Sequence, residues 1–197
     1  MVDPTESLYK NITLNDVQLA SAYYPILIDC AKQKKLITYG ELVAKAKEMY
    51  PTRTEVQNAI ATSAGRKLDV IRIFTAEREL PDITSLVVNK DTVECGVDFT
   101  KYFDPVATRE KVFAFDWSNV TTEFDFYIKH AQTVKTTVKT HKLRISKSQA
   151  REKMAVFYKQ NKERFPPSVR EKRELIIELL MEGLTEEEAF TKAISST

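Results

Sequence analysis

Glycine and proline are scarce in this chain, 4 and 7 among 197 residues, which leaves little room for long structureless linkers and implies that most of it folds. Cysteine is scarcer still. Cys30 and Cys95 have no CxxC spacing, and only His130 and His141 are there to complete a zinc site, so free thiols in a reducing compartment are expected. The two histidines lie eleven residues apart, about three helical turns, too far to share one ion on a straight helix. No apolar run approaches the roughly 20 residues that cross a bilayer. The opening MVDPTESLYK lacks the charged and apolar regions of a signal peptide. A cytoplasmic protein without membrane contact is expected.

Catalytic signatures are missing too. The chain has no phosphate-cradling glycine loop, no GxSxG and no HExxH. Pro81-Asp82 resembles the opening of a nuclease motif, but the approach to Lys90 reads Val88-Asn89-Lys90 and lacks the acid two residues before the lysine that would hold a metal. No catalytic residue, metal ligand or cofactor is assigned, and a noncatalytic role is expected.

What the chain does have is charge, unevenly placed. Residues 1–128 carry 15 Lys/Arg against 19 Asp/Glu, residues 129–164 carry 11 against 2, and residues 165–197 carry 4 against 7. A stretch of 36 residues with a balance of +9 repels itself unless a polyanion or an acidic surface compensates it.

Helix starts are marked with unusual clarity. Thr13 with Asp16, Thr38 with Glu41, Thr52 with Glu55, Ser146 with Gln149, Ser168 with Glu171 and Thr185 with Glu188 each place an acceptor at an N-cap and an acid or amide three residues on. A mostly helical α+β protein follows. Helices are expected over Leu14–Lys34, with Pro25 able to kink or restart the first, and over Tyr39–Met49. A third begins near Arg53, with Val56, Ala59, Ile60 and Ala64 on one face and Thr54, Gln57, Asn58 and Thr62 largely on another. Gly65 is a candidate stop before a helical pattern from Arg66 to Glu79. Ile83–Asn89 reads as a strand, 91–104 as a loop or short hairpin around Gly96, and REKVFAFDW as a helix end or a strand. Beyond Thr121, Phe124, Ile128, Ala131, Val134 and Val138 mark a helix with a buried stripe. A further helix over Ser148–Phe165 buries Met154, Phe157 and Tyr158, and two more flank Gly183.

Helix, ITYGEL, helix, a polar-faced third helix and a later strand is the order of a winged-helix domain, whose third helix enters the major groove. The stretch LITYGELVAKA resembles the DNA-binding domain of the O6-alkylguanine DNA alkyltransferases and alkyltransferase-like proteins, over about 80 to 100 residues. That resemblance implies that Tyr39 and Arg53 handle DNA phosphate and an extruded base. The family's proline-cysteine-histidine-arginine active site has no counterpart: the comparable stretch reads LPDITSLVV, and neither cysteine has a histidine nearby. Alkyl transfer is therefore not expected. The longer run from ITYGEL through LPDITSLVVNKDT to VFAFDW is also similar to an uncharacterised family of small bacterial and phage proteins, which suggests a fold and no chemistry.

The expected architecture is a winged-helix-like core over residues 10–116, then a helical basic arm and an acidic C-terminal helical hairpin over 117–197. The expected partner is double-stranded DNA. Thr54, Gln57 and Asn58 would meet base edges, and Arg53, Arg66 and Lys67 would hold phosphates at either end of the third helix. Lys135, Lys139, Lys142, Arg144 and Lys147 would track the backbone along the arm. Aromatic interleaving is absent within the arm, with Tyr127 before it and Phe157 and Tyr158 after, which favours duplex contact over base stacking. An acidic protein partner would satisfy the same charges; the alternative is an inhibitor or adaptor that docks on a partner protein through the basic arm or the acidic hairpin. Cys30 and Cys95 are expected to be structural, the first buried on an apolar helix and the second with a thiol pKa raised by Glu94.

Overall fold

Side-chain acceptors just ahead of apolar segments start several of the helices. The computed structural model describes residues 12–100, 103–137 and 145–195. Thr13 Oγ1 accepts from the Asp16 amide, Asp16 accepts from the Thr13 amide, and α1 follows as Leu14–Gln33. Pro25 lies inside α1 without ending it. After the two-residue strand β1, Ile37–Thr38, the same reciprocal cap between Thr38 and Glu41 opens α2, Tyr39–Met49.

The third helix departs from its expected course. Thr52 makes no cap; Arg53 stands at the N-cap without a side-chain bond to the helix backbone and donates to Glu55 instead, at 2.8 Å. Only one turn forms, α3, Thr54–Gln57, and a 3-10 turn at Ala61–Ser63 leads into α4, Ala64–Glu77. Gly65 thus sits in the first turn of α4 rather than stopping a helix. The strand expected over Ile83–Asn89 shrinks to β2, Val87–Val88. Asp82 is the cause: its Oδ1 accepts from the Thr84 amide at 3.0 Å and the Thr84 hydroxyl at 2.6 Å, winding Ile83–Leu86 into a 3-10 turn. β2 pairs parallel to β1, with Ile37 opposite Val87 and Thr38 opposite Val88.

Beyond β2 the Asn89 amide donates to the Glu94 carbonyl, closing a turn in which Val93 takes a φ of 58°. The short helix α5, Val97–Thr100, follows. Then Asp104 caps α6, Pro105–Ala114, with the proline in the first turn. Phe115 leaves α6 in an extended conformation, so REKVFAFDW is a helix end. Next comes α7, Val120–Thr137.

The chain divides into two compact units, 1–137 and 138–197, whereas the sequence places the change at 116/117. In the first, α1 is the central element, with Val17, Leu19, Ala20, Tyr23, Tyr24 and Leu27 all buried. α7 belongs to this core. Phe124 stacks on Tyr24 at 3.8 Å between ring centres and meets Phe74 edge-on at 4.9 Å. In the second unit, Ser146 and Gln149 cap α8, Lys147–Asn161. Two 3-10 turns carry the chain past Pro166-Pro167 to α9, Arg173–Met181. Ser168 does not cap α9, whose N-cap is Lys172. Gly183 takes a φ of 92°, and Thr185 with Glu188 opens α10, Glu186–Ser195. Phe190 of α10 anchors this unit, 5.2 Å from the Phe157 ring and 4.9 Å from the Phe165 ring.

Candidate nucleic-acid interface

Arg53, expected to hold a phosphate, and Gln57, expected to read a base, fasten α3 to its neighbours. Arg53 donates to the Gln18 carbonyl at 2.7 Å and to Ser21 Oγ at 3.2 Å, pairs with Glu55, and lies 5.2 Å over the Tyr50 ring. A guanidinium with a carbonyl, a hydroxyl, a carboxylate and a ring already in contact has little left to offer a phosphate. Gln57 Nε2 donates to the Lys47 and Tyr50 carbonyls at 2.9 and 3.2 Å, tying down the end of α2. Thr54 and Asn58 are exposed.

Arg66 and Lys67 meet on one carboxylate. Arg66 Nε donates to Asp16 Oδ1 at 3.1 Å, and Lys67 Nζ lies 3.7 Å from the same oxygen while donating to Ser63 Oγ at 3.0 Å. The Lys67 side chain is 1% exposed and that of Asp16 0%. No phosphate reaches Lys67. Its place follows from Asp16, a carboxylate buried in the first turn of α1 that needs cations beside it. Tyr39, at the start of α2, is half-buried, its ring beside Gly65 and its hydroxyl against Gly96, where an added Cβ would come within 3.2 Å of the hydroxyl oxygen. Burial pushes the Tyr39 phenol up. The four residues Tyr39, Arg53, Arg66 and Lys67 therefore hold the first unit together, and they do not converge on a surface.

The basic stretch sorts into two groups on α8 and the turn after it. Lys147 pairs with Glu174 of α9 at 3.4 Å, Lys153 with Glu186 of α10 at 2.9 Å, and Arg164 with Glu187 at 2.6 Å. The hydrogen bond from Lys153 holds the Glu186 carboxyl below the usual carboxylate range. Arg151, Lys159 and Lys162 are exposed and make no ion pair among the described residues. With Ala155, Arg151 and Lys159 fall at i, i+4 and i+8 of α8, within an arc of about 80° at roughly 100° per residue, a row about 12 Å long, and Lys162 follows in the 3-10 turn beyond the helix. Glu152 borders it. The sequence reading named Lys147, which is paired, and passed over these three; their helical spacing is the signal that identifies them. Lys139, Lys142 and Arg144 lie outside the described residues. Lys135 lies on α7, and its side chain is likewise outside them.

Aromatic residues near the basic stretch are mostly committed. Tyr127 packs 5.3 Å from Phe74, and Phe157 and Tyr158 pack on Phe190. Phe126 of α7 is the exception at 68% exposure, with Lys129 Nζ 5.9 Å from its ring centre.

Both thiols are buried. Burial raises the pKa of each. Cys95 Sγ donates to the Ser85 carbonyl at 3.3 Å and accepts from Arg109 Nη2 at 3.2 Å, and the acid that adds to burial there is Asp82. The neighbouring Glu94 is exposed. Among the described residues no three His, Cys, Asp or Glu side chains gather as a metal site. No protein-family model, no curated protein and no solved structure matches this chain.

Proposed function

We propose that this chain is a noncatalytic DNA-binding protein that grips the duplex phosphate backbone without reading bases. Its contacts are the outer stripe of α8 and the segment 129–144. The observation that carries the reading is the sorting of cations: Arg151, Lys159 and Lys162 are exposed and make no ion pair among the described residues, while Lys147, Lys153 and Arg164 meet acids of their own unit. Residues 129–144 add Lys129, Lys135, Lys139, Lys142 and Arg144 with no Asp or Glu among them. Lysine and arginine repeated along a helix face neutralise phosphates and release counterions, a contribution blind to sequence.

The winged-helix likeness of residues 10–116 remains part of this proposal as a scaffold, supported by the succession of α1, α2 and α4 with the paired strands. A cytoplasmic setting and a bacterial or phage source belong to the same reading. The interaction-module alternative would place an acidic protein on the same cations.

Salt titration of binding to a duplex of mixed sequence tests the proposal. The log–log slope should be steep, roughly −0.9 per phosphate engaged. The variant Arg151→Glu/Lys159→Glu/Lys162→Glu should lose most affinity while keeping its helical signal and melting temperature. Two results would count against it: undiminished binding in that variant, or no binding by the parent at low salt.

A further inference from the structure

Arg151 and Lys153 lie on α8, two residues apart and so about 200° apart around the helix. Lys162 and Arg164 follow in the 3-10 turn Lys162–Arg164 beyond its end. Lys153 and Arg164 meet the first two residues of α10, Glu186 and Glu187, at 2.9 and 2.6 Å. Both cations are exposed, Lys153 at 51% and Arg164 at 57%; Arg164 also donates to Asn161 Oδ1 at 2.9 Å and lies 5.9 Å over the Phe165 ring, so the carboxylates are the acidic groups that cover the two. Phe190 holds α10 in place through its contacts with Phe157, Tyr158 and Phe165.

We infer that the acidic first turn of α10 keeps a second phosphate-binding face, built from Lys153 of α8 and Arg164 of the turn after it, closed to the duplex. The inference rests on the DNA-binding reading above. Glu186 and Glu187 stand where phosphate oxygens would, at the distance of charge-assisted hydrogen bonds. α10 has no need to move, because the contest is between carboxylate and phosphate for the same two donors. Exposed pairs of this kind are weak and screened by salt, so neutralising the two acids is enough to free the face. Glu188 takes no part in this, since it caps its own helix through the Thr185 amide at 2.8 Å.

The experiment compares salt titrations of duplex binding for the parent, for Glu186→Gln/Glu187→Gln and for Glu48→Gln/Glu171→Gln, which has the same change in net charge at two exposed acids that pair with neither Lys153 nor Arg164. Two additional phosphates should steepen the log–log slope of Glu186→Gln/Glu187→Gln by about 1.8 and leave that of the control at the parent value. Adding Lys153→Met/Arg164→Met to the first variant should return its slope to that of the parent. An unchanged slope in a parent that binds, or an equal rise in the control, overturns this inference and leaves the proposed function standing. Absence of binding in every variant at low salt overturns both.

Discussion

Asp16 closes the cap of α1 with one oxygen, which accepts from the Thr13 amide and hydroxyl, and holds Arg66 and Lys67 with the other. Replacing it by alanine removes an acceptor from all of these donors at once and takes a carboxylate from beside the buried Lys67 ammonium. Loss of one member of a buried ion pair costs about 3–5 kcal/mol, and Asp16→Ala should show a loss of that size in urea unfolding. Lys67→Met fills a similar volume and leaves Asp16 with Arg66 and Thr13, so its loss should be smaller, and duplex affinity should be unaffected. Equal losses in the two variants would contradict the shared-carboxylate arrangement. The same geometry explains why a lysine that looked like a phosphate contact in sequence is a core residue: its partner lies fifty-one positions earlier in the chain.

Among the elements, α2 offers a pH test. The Thr38 amide and hydroxyl both donate to Glu41, at 2.8 Å each, and these bonds hold the Glu41 carboxyl below the usual carboxylate range. A carboxyl depressed in the folded state adds stability that is present above its unfolded pKa and is lost as pH falls through the lower folded value. In Thr38→Val the bond from the hydroxyl is gone, so the Glu41 titration, read by carbon NMR of its side-chain carboxyl, should move up toward that of an unfolded peptide. No movement would mean that the hydroxyl contributes nothing.

Caps of this kind are local, which is why the starts of α1, α2, α8 and α10 could be read from residues three apart. α3 could not be read that way. Arg53 is bound to Gln18 and Ser21 of α1, and no pattern within α3 announces partners so distant in sequence. The shortening of the expected strand lay in a single local bond, from Asp82 to Thr84, that β-branched composition outweighed in the reading. At the candidate interface the Arg151, Lys159 and Lys162 spacing was legible. Its separation from Lys153 and Arg164 depends on where α10 places Glu186 and Glu187, a matter of packing around Phe190.

Across the whole molecule, the excess of positive charge in residues 129–164 and of negative charge in 165–197 partly cancel inside the second unit through three ion pairs. In the first unit the feature with the widest reach is the smallest sheet. β1 and β2 run parallel, and Ile37 meets Val87 across fifty residues of chain, so no hairpin can nucleate them. The loop entropy for so distant a pairing must be met before two residue pairs repay it. The strands should therefore join after α1 and α4 have packed, on the far side of the folding barrier. Val87→Ala should then speed unfolding and barely slow refolding, and a chevron in which the refolding arm moves instead would place the sheet in the folding nucleus. In kinetic terms, two residue pairs of strand act as a latch: they set how long the first unit stays folded and have little say in how quickly it forms.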